Sequence, residues 1–271
     1  MSDRPHVGGR DLLAAILVGI VLVATVTVAL WWRSELFIAV VLIAVIAAFV
    51  DLTRVLDETR RPSRSVLIVA SCAIMPASFL YGANGQIAGV LILLFAAVIW
   101  LLARDVTATR LSRTAATMLA GVWVLVPASF ALVMINADNG QLRLAAVIGV
   151  VALTDIAGYA VGVPLGRHKL SPRLSPNKTI EGLAGGVGIS VVVTALGWPL
   201  LFDATAVWQG AMFGFVVSVA AVLGDIAESG VKRALEVKDF GTFLPGHGGV
   251  LDRIDGLVFA LPVAAALFAV L

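Results

Sequence analysis

The sequence predicts an all-α integral membrane protein that crosses the bilayer about nine times, with its N-terminus inside and its C-terminus outside. Of its 271 residues, 60% are hydrophobic and only 13% are charged, whereas a soluble domain carries roughly 25% charged residues. The mean hydropathy is +1.03. The net charge of +2 is too small to indicate a nucleic-acid partner. Composition therefore places the chain in a membrane.

Nine apolar segments set the predicted number of spans, each judged against the roughly 20 residues that a span needs. These segments are 12–32, 36–50, 66–81, 87–103, 114–135, 142–163, 181–201, 206–229 and 254–271. Lys and Arg residues collect on the cytoplasmic side of membrane proteins. With the N-terminus inside, 17 of the 19 Lys and Arg residues lie on the inner side, and only Arg33 and Arg143 lie outside. This asymmetry supports the predicted order of the spans.

We expect a single membrane domain over residues 1–271, because polar segments of about 20 to 25 residues are too short to fold separately. Residues 1–140 have the sequence of generic spans. The two most polar inner segments, 164–180 and 230–253, lie in the C-terminal half of the chain. Residues 150–271 are therefore predicted to form the catalytic half.

A carboxylate at membrane depth, Asp155, stands within the sixth apolar segment. Such a group is costly to bury in a bilayer and usually faces a polar cavity. Asp155, Tyr159, Gly162 and Gly166 follow the spacing i, i+4, i+7, i+11, which predicts that they share one helix face. The alternative is an interhelical hydrogen bond to Asp155, with the glycines serving close helix packing.

A second polar face closes the eighth apolar segment. Its spacing of i, i+3, i+4, i+7, i+8 aligns Asp225, Glu228, Ser229, Lys232 and Arg233. The alternative is a salt-bridged helix end at the interface, with the two cations extending toward water. Asp225 fits that alternative less well, because it still lies in apolar sequence.

A glycine-rich stretch, "LPGHGGVLDRIDG", precedes the last apolar segment and spans Leu244 to Gly256. It places Asp252 and Asp255 three residues apart. Glycine turns of this kind can surround phosphate oxygens with backbone N–H groups. The alternative is a hinge before a helix with Asp252 as the N-cap. His247 could be a turn residue, a phosphate donor or a metal ligand.

Between these two regions lies "RHKLSPRLSPNKTIEGLAGG", in which two Ser-Pro steps interrupt the chain after the sixth segment. Thr179 is placed to cap the next helix, with Glu181 in its first turn. Lys169 and Lys178 add positive charge at the inner surface. These cations are either phosphate ligands or ordinary inner-side charge.

This set of residues indicates chemistry on phosphates. Carboxylates without a Cys or His cluster suit a hard cation such as Mg²⁺, while cations and open amides suit phosphate groups. Phosphoryl and nucleotidyl transfer depend on positioning and charge neutralisation. The sequence therefore predicts metal-dependent transfer to a phospholipid or a polyprenyl phosphate at the cytoplasmic face. The competing hypotheses are a secondary transporter, with Asp155 and Asp225 as ion sites, and a structural scaffold.

The stretch "SGVKRALEVKDFGTFLPGHGGVLDRID", Ser229 to Asp255, resembles the signature of the phosphatidate cytidylyltransferases, or CDP-diacylglycerol synthases. The segment from Asp155 to Gly186 also resembles that family, so the resemblance covers residues 150–271. Glu236 departs from it, where a glycine is expected. The matching positions are Ser229, Lys232, Arg233, Lys238, Asp239, Gly241, Pro245, His247, Gly248, Gly249, Asp252, Arg253 and Asp255.

The resemblance implies the reaction of CTP with phosphatidate to give CDP-diacylglycerol and pyrophosphate, with Mg²⁺ and room for a second cation. It also implies a homodimer in the cell membrane, acting in phospholipid biosynthesis. Asp225 and Asp252 look like the metal ligands, with Asp255 and Glu228 as further candidates. The catalytic candidates are Asp225, Asp252, Ser229, Lys232 and Asp155. The phosphate-binding candidates are Arg233, Lys238, Asp239, His247, Gly248, Gly249, Arg253, Lys169 and Lys178.

Overall fold

The computed structural model describes residues 9–202, 206–241, 243 and 248–271, with side chains from Leu17 onward. Helices dominate the described residues, and one pair of short strands lies between α6 and α7. In chain order the elements are α1 Gly9–Trp32, α2 Ser34–Val55, α3 Arg64–Leu102, α4 Ala108–Ala120, α5 Val126–Ile135, α6 Gly140–Leu165, β1 Lys169–Ser171, β2 Ser175–Thr179, α7 Ile180–Leu201, α8 Val207–Ala234 and α9 Leu251–Val270.

Seven helical stretches among the described residues are long and apolar enough to cross a membrane. One of them, Ala108–Ile135, joins α4 to α5 through a π-helical turn at Gly121–Leu125. The described apolar part of α1, Leu17–Trp32, is shorter. The predicted class, an α-helical membrane protein, is therefore confirmed.

Helix α3 accounts for two of the predicted segments. A straight helix of its 39 residues would be about 58 Å long, nearly twice the thickness of a bilayer core. Gly82 breaks it, with φ 58° and ψ −135°. Beyond the break, Gly85 packs on the backbone of Ala77 and Gly89 packs on Ile74. The two arms therefore fold back on each other, in the positions of the predicted segments 66–81 and 87–103.

The strand pair was not predicted from the sequence. Its antiparallel register places Lys169 opposite Thr179 and Ser171 opposite Ser175. The Ser-Pro steps disfavour helix in the residues that precede each proline. A two-stranded pair consists of edges only, so it also tolerates Pro176, which has no N–H group to donate.

Buried hydroxyl groups join α6, α7 and α8. Thr154 Oγ1 on α6 lies 2.9 Å from Ser190 Oγ on α7 and 2.9 Å from Ser218 Oγ on α8. All three residues are buried. Helix α9 then packs against α8, where Gly224 approaches the backbone of Asp255. These contacts fix the relative positions of the helices that carry the polar faces.

Candidate active site

A cavity of about 640 Å³ lies among α6, α7 and the strand pair. Its volume falls within the range of roughly 300–1,000 Å³ that small-molecule sites occupy. Asp155, Tyr159, Gly162 and Gly166 all line it, so the predicted shared face is confirmed. Asp155 is accessible from this cavity, as the cost of a carboxylate at membrane depth led us to expect.

Glycines that line the cavity also bring α6 and α7 together. A methyl group on Gly182 would lie 2.8 Å from the Gly158 carbonyl oxygen, and one on Gly186 would lie 2.6 Å from that of Thr154. Thr179 Oγ1 accepts a hydrogen bond from Gly182 N at 3.1 Å, which confirms the predicted cap of α7. These glycines therefore allow α6 to pack closely on α7, and they also line the cavity.

Lys178, at the end of β2, extends from the cavity wall to α8. Its Nζ atom forms an ion pair with Asp225 Oδ2. Ser229 Oγ lies one helical turn further on, 3.4 Å from Asp225 Oδ1. Lys169 lines the same cavity from β1. The strand pair therefore positions one lysine on a predicted metal ligand and another on the cavity wall.

Three carboxylates form a cluster where α8 meets α9. Asp225, Glu228 and Asp255 each place an oxygen within 4.8 Å of the other two. Glu228 is fully buried, and its Oε2 atom lies 2.8 Å from Lys232 Nζ. Asp255 Oδ1 accepts a hydrogen bond from Gly256 N at 2.7 Å.

The donor set of this cluster fits a hard cation. The Glu228 carboxyl group contacts two members of this region, through the ion pair with Lys232 and a hydrogen bond with Asp255. Buried carboxylates are stable only when paired, protonated or bound to a metal. Mg²⁺ prefers carboxylate oxygens and keeps positions for water and phosphate. The residues that could hold such an ion are Asp225, Glu228 and Asp255.

Asp252, the other predicted metal ligand, lies in the first turn of α9 and contacts the loop before that helix. It is buried, and its carboxylate accepts hydrogen bonds from Phe240 N at 3.1 Å and Gly249 N at 2.7 Å. Lys232 Nζ lies 3.0 Å from its Oδ1 atom. Val250, not Asp252, occupies the N-cap position of α9. Asp252 therefore organises the glycine loop, while Asp255 is grouped with Asp225.

The remaining predicted residues lie around this centre. Arg233 Nε donates to the Leu174 carbonyl oxygen at 3.3 Å, so it holds the turn of the strand pair. Gly248 has φ 77°, a conformation that favours glycine. Gly249 is buried, whereas Lys238 and Asp239 are exposed after the C-terminal end of α8, and Arg253 is exposed in the first turn of α9. His247 lies outside the described residues.

One residue that contacts this site was missed in the sequence. Asp51, on α2, is buried, and its Oδ2 atom accepts a hydrogen bond from Val250 N at 2.7 Å. The available signal was a carboxylate directly after the second apolar segment. Its partner is 199 residues away, so the spacing of residues could not reveal the contact.

A lysine-lined cavity beside clustered carboxylates, within apolar helices, is the arrangement expected of a membrane-embedded transferase that acts on phosphate-containing groups. Residues 13–271 match the cytidylyltransferase family. The chain belongs to this family. The predicted resemblance is confirmed, and the match extends through the N-terminal helices that had appeared generic.

Curated relatives agree with this assignment. A phosphatidate cytidylyltransferase of Mycobacterium bovis is 34% identical over 277 residues, covering 97% of this chain and 89% of the relative. The enzyme of the same name from Mycobacterium leprae is 33% identical, covering 94% and 87%. One from Staphylococcus saprophyticus is 45% identical over 114 residues, covering 42% of this chain and 44% of the relative.

Proposed function

We propose that this protein transfers the cytidylyl group of CTP to phosphatidate, giving CDP-diacylglycerol and pyrophosphate for phospholipid biosynthesis. Family membership supports the reaction type, and the names of the full-length relatives support the substrates. The structural observation that carries the proposal is the ion pair between Lys178 and Asp225. It connects the cavity to the carboxylate cluster, so a bound phosphate can reach both.

The Asp225, Glu228 and Asp255 carboxylates are the proposed ligands of Mg²⁺. Bound there, Mg²⁺ supplies positive charge that neutralises the triphosphate and the pyrophosphate leaving group. Lys232 lies between Glu228 and Asp252, so it holds the cluster and the glycine loop in register. We propose Asp255 in place of Asp252 as the metal ligand beside Asp225, with Asp252 organising the glycine loop.

In the proposed step, an oxygen of the phosphatidate phosphate forms a bond to the α-phosphorus of CTP. The bond from that phosphorus to the bridging oxygen of the β-phosphate breaks, and pyrophosphate leaves. Lys178 and Lys169 are placed on the cavity wall to bind phosphate oxygens through charge-assisted hydrogen bonds. Ser229 orients the Asp225 carboxylate. Arg253, Lys238 and the amide of Gly248 are the proposed contacts for the nucleotide phosphates. The Gly249 amide, also predicted to bind phosphate, instead donates to Asp252.

We also propose the nine-span topology with the site on the cytoplasmic side, where CTP is present. Seven long helices become nine spans when the two arms of α3 are counted separately and α1 is added. A single membrane domain is retained, but Asp51 places part of the N-terminal half at the site. We also propose a homodimer, which the family resemblance supports.

The test uses purified protein with labelled CTP and phosphatidate, with and without EDTA, followed by Mg²⁺ in excess of EDTA. Formation of CDP-lipid and pyrophosphate, lost with EDTA and restored by Mg²⁺, supports the proposal. A polyprenyl phosphate replaces phosphatidate in a parallel reaction. Product from the polyprenyl phosphate alone overturns the lipid assignment. If no acceptor gives a product, the transferase proposal is contradicted and the transporter hypothesis is favoured.

A further inference from the structure

The buried carboxylate of Asp51 contacts the chain just before α9. Asp51 is 1% exposed, and its Oδ2 atom accepts a hydrogen bond from Val250 N at 2.7 Å. The preceding amide, Gly249 N, donates to Asp252 Oδ2 at 2.7 Å. Two consecutive backbone amides are thus held by two carboxylates, one from each half of the chain.

Glycines allow this close approach. A methyl group on Gly249 would lie 2.8 Å from Asp51 Oδ2 and 2.9 Å from Asp252 Oδ2. A methyl group on Gly241 would collide with the Asp51 carboxylate. Both glycines therefore pack on Asp51, and a side chain at either position would displace the Asp51 carboxylate. Hydrogen bonding and packing thus meet at the same carboxylate. We call this contact of Asp51 with Gly241, Gly249 and Val250 the junction.

We infer that Asp51 is a positioning residue, which fixes the backbone before α9 and thereby sets the place of Asp255 in the carboxylate cluster. The inference rests on the proposed site. Asp255 lies five residues after Val250, on the first turns of α9, so displacement of Val250 moves the start of that helix. Asp51 acts through the backbone and touches neither substrate nor metal.

The geometry separates this role from a general contribution to folding. Asn at position 51 keeps an oxygen that can accept the Val250 N–H, while Leu has a similar volume and no acceptor. Asp51→Asn is therefore expected to preserve the junction, and Asp51→Leu to break it. Asp57→Leu is the matched control. Asp57 is an exposed carboxylate just after the C-terminal end of α2, and in the described structure its side chain contacts only its own turn.

Two measurements on purified full-length protein test the inference. The first is hydrogen–deuterium exchange of the peptide that contains Val250, where Asp51→Leu should speed exchange and Asp51→Asn and Asp57→Leu should not. The second is steady-state kinetics per mole of folded protein. Displacing catalytic groups by about 1 Å can lower turnover by about 100-fold. We expect a loss of that order in kcat for Asp51→Leu, with KM for phosphatidate unchanged.

Wild-type kcat in folded Asp51→Leu, or unchanged exchange at Val250, overturns the inference. If Asp51→Leu fails to fold, Gly241→Ala carries the same test, because its added methyl displaces the Asp51 carboxylate. Unchanged exchange and kcat in Gly241→Ala then overturn it. The proposed metal site is tested separately by Asp225→Asn: wild-type activity there contradicts the site, while the exchange data still report on the junction.

Discussion

Lys178 and Asp225 form an ion pair across 47 residues of sequence. Lys178 is the next-to-last residue of β2, and Asp225 lies on α8, so the contact connects the cavity wall to the carboxylate cluster. Neither group is fully buried, with side-chain exposures of 30% and 26%. Lys178 is therefore accessible to a substrate phosphate, and Asp225 is accessible to a cation.

This pair gives the first prediction. Lys178→Met removes a charge at the cavity and leaves Asp225 without its cation. Removing one preorganised charge from a reacting centre typically costs about 100- to 1,000-fold in kcat, and we expect a loss in that range. Lys178→Arg should recover part of it, because it restores the charge. The measurement is CDP-lipid formation at saturating CTP.

Arg173→Met is the control for Lys178→Met, because Arg173 is exposed in the turn of the same strand pair. It removes a positive charge without touching the cavity. Equal losses in Arg173→Met and Lys178→Met would show that only general surface charge matters.

The second prediction concerns the metal ligands. Asp255→Asn removes one negative charge from the cluster, so the concentration of Mg²⁺ that gives half-maximal activity should rise at least about 10-fold. Glu58→Gln, which changes an exposed carboxylate after α2, should leave it unchanged. A titration of initial rate against free Mg²⁺ makes the comparison. An unaltered titration for Asp255→Asn would remove Asp255 from the metal site.

The third prediction separates Asp252 from Asp255 by stability. Asp252→Ala leaves the amides of Phe240 and Gly249 without their acceptor, and each buried unsatisfied group costs about 1–3 kcal/mol. The thermal midpoint of the purified protein should fall. Asp255→Ala should not lower it, because it relieves repulsion within the cluster. A higher midpoint for Asp252→Ala than for Asp255→Ala would reverse the two assignments.

The fourth prediction uses two neighbouring glycines of α7. A methyl group on Gly186 would lie 2.6 Å from the Thr154 carbonyl oxygen, whereas one on Gly188 meets no atom within 4 Å. Gly186→Ala should therefore lower the thermal midpoint by forcing α6 and α7 apart. Gly188→Ala should leave it unchanged or raise it, since Ala favours helix over Gly by about 1 kcal/mol. Equal midpoints would contradict the close packing of α6 on α7.

Local periodicity predicted what lies on a single helix. The shared face of Asp155, Tyr159, Gly162 and Gly166 is confirmed by the lining of the cavity, because helical spacing depends on the backbone alone. The cap by Thr179 is confirmed for the same reason. These features require no knowledge of how helices pack.

Tertiary contacts account for what the sequence left open. Asp252 and Asp255 stand three residues apart, so spacing could not decide which of them faces Asp225. The start of α9 at Leu251 and the amides of Phe240 and Gly249 make that choice. Asp51 could not be predicted at all, because its role depends on a contact with Val250 from the other half of the chain.

The most direct test of the central claim is the rate of labelled CDP-diacylglycerol formation by folded Asp225→Asn protein in saturating Mg²⁺. We expect a loss of at least about 100-fold relative to wild type, because the residue that joins the cavity to the other metal ligands has lost its charge. The thermal midpoint of the Asp225→Asn variant will show that the protein is still folded. A rate close to that of the wild type would contradict the proposed site.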